Sequence, residues 1–247
     1  MLHEEEPEDA ELMAIPEDHG EMDFAATPIT SDLEGGQKES PAPTGILACF
    51  QIGYYQPYFN VDTTDVADRL KATLAFYKID PTFLALVADT PDAYGPFWTA
   101  TTLIFVISVT SNLARSLSEG YDYDFKLVTS CVSIIYGYLV AAPLLLWCAI
   151  KYFLQLDGAS LTQLACLVGY GLFLYIPAAF LCTFNILSWP ALVMAGAAST
   201  LFLLRSLKPL IEAKREKAVS LVGGLVLFQL LFMLTVKFSF YSHDHGL

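Results

Sequence analysis

The sequence predicts an all-α, polytopic membrane protein with about five transmembrane helices, preceded by a disordered acidic tail and a cytosolic amphipathic helix. Three observations support this fold class. Hydrophobic residues make up 55% of the chain, which is more than soluble domains usually contain. Five stretches are long and apolar enough to cross a hydrocarbon layer. Acidic residues are concentrated before residue 41 instead of spreading along the chain.

The acidic tail is predicted to span residues 1–48. Of the 26 Asp and Glu residues, 13 precede residue 41, where only Lys38 opposes them. Such a tail cannot bury enough apolar surface to offset the entropy lost on ordering. The net charge of -13 belongs to this tail, so it does not indicate a basic partner, and we expect no nucleic-acid partner. Because the first residues lack an apolar run, the amino end is expected to stay in the cytosol.

Aromatic residues dominate the start of the next segment, residues 49–95. Tyr54, Tyr55 and Tyr58 lie close together between Phe50 and Phe59. Tyrosine is common at membrane interfaces, and aromatic anchors are also common in protein–protein interfaces. The segment is therefore predicted either to fold back on the membrane or to recognise a partner.

A cytosolic amphipathic helix is predicted to begin after Asp62 or Thr63, either of which can cap it, and to end before Pro81. Its predicted apolar face consists of Val66, Leu70, Thr73, Leu74 and Tyr77, flanked by Arg69, Lys71 and Lys78. A helix so close to a span is expected to lie on the cytosolic leaflet, in contact with the lipid bilayer. Binding in the groove of a protein partner is the alternative.

The transmembrane domain is predicted over residues 96–240. Its five spans are residues 96–114, 127–150, 161–183, 186–204 and 219–236. Only Phe184 and Asn185 separate the third span from the fourth, which predicts a tight helical hairpin. Pro143 and Pro177 are expected to kink the second and third spans.

Lys and Arg in short loops predict the orientation of the spans, because cytoplasmic loops carry an excess of them. The side that includes the amino end carries nine, and the opposite side carries Arg115, Lys126 and Lys237. With five spans, the amino end is predicted to be cytosolic and residues 241–247 to form a short lumenal C-terminus.

Ionisable residues are absent from the middle of the predicted spans, and Gln163, near a span end, is the long polar side chain that we identify. Proton relays and intramembrane catalysts need ionisable groups in the bilayer. We therefore predict a protein that is not an enzyme and has no cofactor. The five cysteines lack metal-type spacing and are predicted to be small buried hydrophobes, so no metal site is expected: Cys49, Cys131, Cys148, Cys166 and Cys182.

Small residues recur at helical spacing in two spans. They are Ser133, Gly137 and Ala141 in the second span, and Ala191, Ala195 and Ser199 in the fourth. Such stripes let helix backbones approach closely. We interpret them as helix-packing surfaces within this chain, and docking of a second membrane protein is the alternative.

Two short motifs mark the boundary and the interior of the bundle. Residues 91–98 are Pro-Asp-Ala-Tyr-Gly-Pro-Phe-Trp, directly before the first span, and Gly169 and Tyr170 lie in the third. Tyr94 is a typical interface anchor, and Gly95 with Pro96 forces a turn. Asp92 offers a carboxylate at the headgroup boundary.

Together the motifs resemble those of the Yip (Ypt/Rab-interacting) domain family of five-span Golgi membrane proteins. Its signatures are Asp-Leu-Tyr-Gly-Pro before the first span and Gly-Tyr in the third. The stretch from Tyr54 to Asp62 resembles an aromatic run in one branch of that family. The resemblance covers about residues 50–240, and Ala93 departs from the usual Leu while keeping the position apolar.

This resemblance implies a non-enzymatic membrane adaptor in ER–Golgi or Golgi vesicle-mediated transport. It also implies location in the Golgi membrane, binding of prenylated Rab GTPases at the cytosolic face, and a hetero-oligomer with a related five-span protein. The candidate partner-binding residues are Asp92, Tyr94, Gly95 and Pro96, together with Tyr54, Tyr55 and Tyr58. Candidate packing residues are Gly169, Tyr170, Gly137 and Ala195. A channel or carrier for a neutral or lipid solute and a membrane-shaping protein are the alternatives.

Overall fold

The computed structural model describes residues 56, 58–75, 77, 82–118, 125–156 and 158–241, with only the backbone for residues 185, 215 and 216. All of these belong to one compact unit, Pro43–Leu247. The predicted acidic tail, Tyr54, Tyr55 and residues 242–247 lie outside the described residues.

Two short helices precede the transmembrane bundle. The first, α1, is Thr63–Leu74, and the second, α2, is Phe83–Leu86. Both pack against the beginning of the third span. We call the end of the bundle at which they lie the head end, and the opposite end the far end.

Five helical segments within the described part of the chain are long and apolar enough to cross a membrane, which confirms the predicted fold class. The first span is α3, Tyr94–Ser118, and the second is α4, Phe125–Cys148, extended by a π-helix at Ala149–Leu154. The third consists of α5, Leu161–Gly171, and α6, Tyr175–Leu181. The fourth is α7, Asn185–Ser206; after the short α8, Lys208–Ala213, the fifth is α9, Arg215–Phe240.

The third span changes its helical winding just before Pro177, one of the two prolines that were expected to kink their spans. A 3₁₀ turn at Leu172–Leu174 joins α5 to α6. Proline has no amide hydrogen to donate to the preceding turn, so regular α-helical bonding fails there. The second span differs, because α4 continues through Pro143.

The third span is the centre of the bundle and packs against the first, second and fourth spans. Of its most apolar window 67% is buried, compared with 33% for the second span and 28% for the fifth. The second and fifth spans therefore turn most of their apolar side chains outward, where a membrane supplies lipid.

Gln163, the polar residue predicted near a span end, caps the third span and anchors a loop. The backbone amide of Gln163 donates to Ser160 Oγ at 3.2 Å, and its side-chain Oε1 accepts from the backbone amide of Ser160 at 2.9 Å, which is a capping box. Its Nε2 donates to the carbonyl of Ala88 at 2.8 Å. The side chain thus connects the start of the third span to the segment before α3.

The predicted face of α1 is confirmed only in part: Thr73 is buried and Leu70 packs against the core, but the rest of the buried face differs from the prediction. Arg69 and Thr73 are buried, whereas Leu74 and Tyr77 are 52% and 60% exposed. The prediction placed Arg69 at the edge of the face because a charged side chain rarely leaves water without a partner. Here Arg69 has buried partners, and α1 packs on the bundle through them.

The fifth span contains a buried polar residue, Gln229, that our sequence analysis overlooked. Its Oε1 accepts from the hydroxyl of Tyr138 at 2.8 Å, and its Nε2 donates to the hydroxyl of Tyr175 at 3.0 Å. The side chain is only 2% exposed. It joins the fifth span to the second and third through polar groups that lipid could not satisfy.

Replacing Gln229 with Leu is expected to lower the free energy of unfolding by about 1 kcal/mol, because both tyrosine hydroxyls lose a partner. Unfolding of the full chain in mixed micelles titrated with a denaturing detergent measures this. Thr235→Val is the control, since Thr235 is exposed and bonds only to the Leu231 carbonyl of its own helix. Equal losses in the two variants would count against a role for Gln229 in joining the spans.

Candidate functional site at the head end

Asp92 caps the first transmembrane helix. It precedes α3 by two residues, and its Oδ2 accepts a hydrogen bond from the amide of Gly95 at 3.0 Å. The first amides of a helix have no partner within the helix, and aspartate is a favoured cap. Its negative charge also lies at the positive end of the helix dipole. Local chemistry therefore explains an aspartate just before Tyr-Gly-Pro.

The carboxylate of Asp92 is completely buried and is paired with Arg69 of α1. Nη1 of Arg69 lies 2.7 Å from Oδ1 of Asp92, and the Arg69 side chain is itself 3% exposed. Nη2 of Arg69 donates to the backbone oxygen of Thr90 at 2.6 Å and to its hydroxyl at 3.0 Å. A buried ion pair loses much hydration and persists only where further hydrogen bonds compensate for that loss. Arg69 thereby joins α1 to the segment before α3.

The third span supplies the remaining partners of Asp92. The hydroxyl of Tyr170 donates to Oδ2 at 3.0 Å, and Sγ of Cys166 lies 2.9 Å from Oδ1. With the amide of Gly95, these make three hydrogen-bond donors on the two oxygens, and the ion pair with Arg69 adds a fourth contact. We call Arg69, Asp92, Cys166 and Tyr170 the buried cluster. A carboxylate so occupied is arranged to hold α1, α3 and α5 together.

The glycines of the two motifs make the close contact between α3 and α5 possible. A Cβ at Gly95 would overlap the hydroxyl end of Tyr170. A Cβ at Gly169 would overlap the ring of Pro96 and come within 2.7 Å of its Cα. Each motif therefore has a glycine against the large or rigid residue of the other. Nothing in either motif by itself indicates that the two are in contact.

Some of the candidate partner-binding residues are exposed in the structure, and others are buried. Asp92 is 3% exposed, and its carboxylate cannot be touched from outside. Tyr94 is 40% exposed at the rim of the head end. Tyr58 is half-buried and connects to the motif, since its carbonyl accepts from the amide of Ala93 at 2.9 Å. Partner binding by these residues stays a prediction, and any contribution of Asp92 to it is indirect.

The two stripes of small residues differ. Ala191, Ala195 and Ser199 are buried, which places the fourth-span stripe in a packing contact within the chain. Ser133 and Gly137 are exposed, and a Cβ at Gly137 would meet nothing within 4 Å. The interpretation of Gly137 as an intramolecular packing residue is therefore wrong. The second span is peripheral, and Ser133 and Gly137 face outward, whereas Ala141 is half-buried.

A cavity of about 370 Å³, which we call the head pocket, lies beside the motif. Its lining includes Tyr58 and Phe59 from the aromatic segment, Pro96 and Phe97 from α3, Leu139 from the second span and Ala165 from the third. Nearly all of this lining is apolar. The pocket lies close to the head end, so an apolar group can enter it there.

Arg69 and Cys166 are members of the buried cluster that sequence reasoning did not assign to the site. A signal for Arg69 was available: it follows Val66 by three residues and precedes Thr73 by four, so it lies on the same side of the helix as both. Cys166 had no such signal. It was correctly predicted to be buried, but its partner is distant in sequence. The same prediction holds for Cys131 and Cys182 and is wrong for Cys148, which is exposed on the peripheral second span.

Comparison with known proteins identifies the family. A model of the Yip1 domain matches residues 75–236, about two thirds of the chain. The chain belongs to the Yip1 domain family. The resemblance found in the two motifs is thus confirmed over the whole bundle. Asp92, Cys166 and Tyr170 lie within the matched range, whereas Arg69 precedes it.

Two relatives agree with this assignment. A Dictyostelium discoideum protein, "Protein YIPF1 homolog", is 30% identical over 224 residues, which cover 88% of this chain and 61% of that protein. "Protein YIP5" of Schizosaccharomyces pombe is 33% identical over 201 residues, which cover 74% of this chain and 78% of that protein. No solved structure matches. Both alignments cover most of this chain, which itself spans less than two thirds of the Dictyostelium protein.

Proposed function

We propose that this protein is a non-enzymatic adaptor in vesicle-mediated transport at the Golgi or between the ER and the Golgi. Its head end faces the cytosol and binds prenylated Rab GTPases, and its spans associate with a related five-span protein. Membership of the Yip1 domain family and the multi-pass helical fold support a role in membrane trafficking. The carboxylate at the signature motif supports a structural role there, because it is buried, accepts three hydrogen bonds and is paired with Arg69.

The head pocket is the observation that supports this proposal most. It is apolar, and it is bordered by exposed aromatic side chains, of which Phe97 is 41% and Phe59 46% exposed. A prenyl group is a hydrocarbon chain that must leave water when its carrier protein binds. A pocket at the membrane boundary that takes the prenyl group would leave the GTPase itself in the cytosol. Tyr94 and Trp98, adjacent on the same rim, would then contact the protein.

The proposal is tested by capturing purified Rab GTPases, each with and without its prenyl group, on the full chain in mild detergent. Prenylated GTPases are expected to be recovered, and their recovery is expected to fall when Ala165→Phe fills the head pocket. Gly223→Phe is the matched control, because a Cβ at Gly223 meets nothing within 4 Å and Gly223 does not line the pocket. Equal recovery with and without the prenyl group, or with and without Ala165→Phe, would overturn the proposed pocket.

The outward stripe of the second span is proposed to contact the related five-span partner. Ser133 and Gly137 are exposed there, and small residues permit close helix approach within a membrane. Gly137→Leu is expected to reduce recovery of the partner from gentle detergent, while Gly223→Leu leaves it unchanged.

Protease added to intact Golgi vesicles is expected to trim the amino end and spare residues 241–247. Protection of the amino end would contradict the proposed orientation.

A further inference from the structure

A second apolar cavity, which we call the side groove, opens between the second and fifth spans and measures about 390 Å³. Ala142, Leu146 and Phe153 line it on one side, and Ser220, Gly224 and Phe228 on the other. These two spans are the least buried of the five. The groove therefore faces the surroundings of the bundle, and at membrane depth an apolar groove is filled by hydrocarbon.

The side groove is long and apolar, as the binding of an acyl chain requires. Its lining extends from Ala142 to Phe153, which at 1.5 Å per residue is about 16 Å. A hydrocarbon chain that lies along the spans therefore matches both the length and the apolar lining of the groove.

Basic side chains lie at the head end of the side groove. Nζ of Lys217 donates to the carbonyl of Phe153 at 3.1 Å and lies 5.6 Å from the centre of its ring. Phe153 is itself part of the groove lining, so this ammonium group marks the mouth of the groove. Nζ of Lys214 donates to the carbonyl of Gln155 at 3.5 Å. Gln155 follows Phe153 by two residues. Positive charge is therefore concentrated where the headgroup of a lipid in the groove would lie.

From these features we infer that the side groove binds one phospholipid with an anionic headgroup, drawn from the leaflet at the head end. One acyl chain lies between the second and fifth spans, and the headgroup phosphate lies beside Lys217. Basic sites between transmembrane helices attract anionic headgroups at about 1 kcal/mol for each Lys or Arg, which corresponds to about a fivefold preference. The site is separate from the head pocket and does not depend on Rab binding.

The test is native mass spectrometry of the full chain released from nanodiscs that contain equal amounts of phosphatidylserine and phosphatidylcholine with identical acyl chains. Wild-type protein is expected to retain one phospholipid, with about a fivefold preference for phosphatidylserine. Gly224→Leu fills the groove and is expected to remove the retained lipid of either kind. Lys217→Gln is expected to keep a lipid and lose the preference for phosphatidylserine.

Two matched controls separate this result from general effects on the protein. Gly223→Leu adds the same side chain one residue away, at a position that also has open space but does not line the groove. Lys208→Gln removes an exposed lysine whose Nζ lies 3.8 Å from Glu212 on α8. Both are expected to retain lipid as wild type does. Lipid retention that is the same in Gly224→Leu and Gly223→Leu would overturn the proposal, as would a dimer that Gly224→Leu dissociates without change in bound lipid.

Discussion

Replacing Asp92 with Asn is expected to lower the free energy of unfolding by about 3–5 kcal/mol, because it leaves the buried charge of Arg69 without a counter-charge. The same variant is expected to release α1 from the bundle, since Arg69 is the residue of α1 that reaches Asp92 and Thr90. Unfolding in mixed micelles measures the first effect. Hydrogen exchange across Thr63–Leu74 measures the second.

Asp68→Asn is the matched control for Asp92→Asn. Asp68 also forms an ion pair, with Lys71, but both side chains are exposed. Oδ1 of Asp68 lies 2.8 Å from Nζ of Lys71, and the Asp68 side chain is 66% exposed. An exposed pair of this kind contributes about 0.5 kcal/mol or less. If the two variants have the same free energy of unfolding and the same hydrogen exchange in α1, the buried cluster does not hold α1.

The double variant Arg69→Met with Asp92→Leu separates the ion pair from its burial. Removing both charges together avoids the unpaired charge, so the loss is expected to be smaller than for Asp92→Asn alone. Such a protein would retain the bundle but lack the specific connection of α1, Cys166 and Tyr170 to one carboxylate. Partner capture by this variant would then report on the position of α1 without a large loss of stability.

Gly169→Ala is expected to produce the second large effect, a loss of about 1–3 kcal/mol from overpacking between the first and third spans. The added Cβ would meet Pro96, including its Cα, and backbone cannot move aside as a flexible side chain can. Gly95→Ala is expected to act in the same direction, because the hydroxyl of Tyr170 that it displaces is hydrogen-bonded to Asp92.

Gly137→Ala is the control for the glycine contacts. Its added Cβ meets nothing within 4 Å, and an alanine within a helix is about 0.5–1 kcal/mol more favourable than a glycine. The expected result is therefore a slight gain for Gly137→Ala against a loss for Gly169→Ala, measured by unfolding in mixed micelles. A gain of equal size in both variants would mean that the first and third spans are not in close contact at the motifs.

The five spans and the third-span interruption could be predicted because they follow from local properties of the chain. A run of about twenty apolar residues is stable in the hydrocarbon core of a membrane, and a proline lacks an amide hydrogen wherever it occurs. The cap of α3 is local too, since Asp92 and Gly95 are three residues apart. The burial of Arg69 on α1 could not be predicted this way, because it depends on a partner carboxylate 23 positions away in sequence.

Gly137 and Gly169 show the same limit from another direction. Both are glycines within apolar helices, and sequence alone assigned both to packing. Gly169 lies in the central third span against Pro96, whereas Gly137 lies on the outward side of a peripheral span. Which face of a helix meets a neighbour depends on the arrangement of all five spans, and a small-residue pattern does not contain that information.

By itself, the sequence determined that this chain is a membrane protein, how many times it can cross the bilayer, and that its signature motif directly precedes the first span, since each depends on short-range properties of the chain. Only the tertiary structure decided that the motif's carboxylate is enclosed by Arg69, Cys166 and Tyr170, and that grooves remain at the head end and along the second and fifth spans. The physical reason is that burial of a charge and the space between helices are properties of contacts between distant segments.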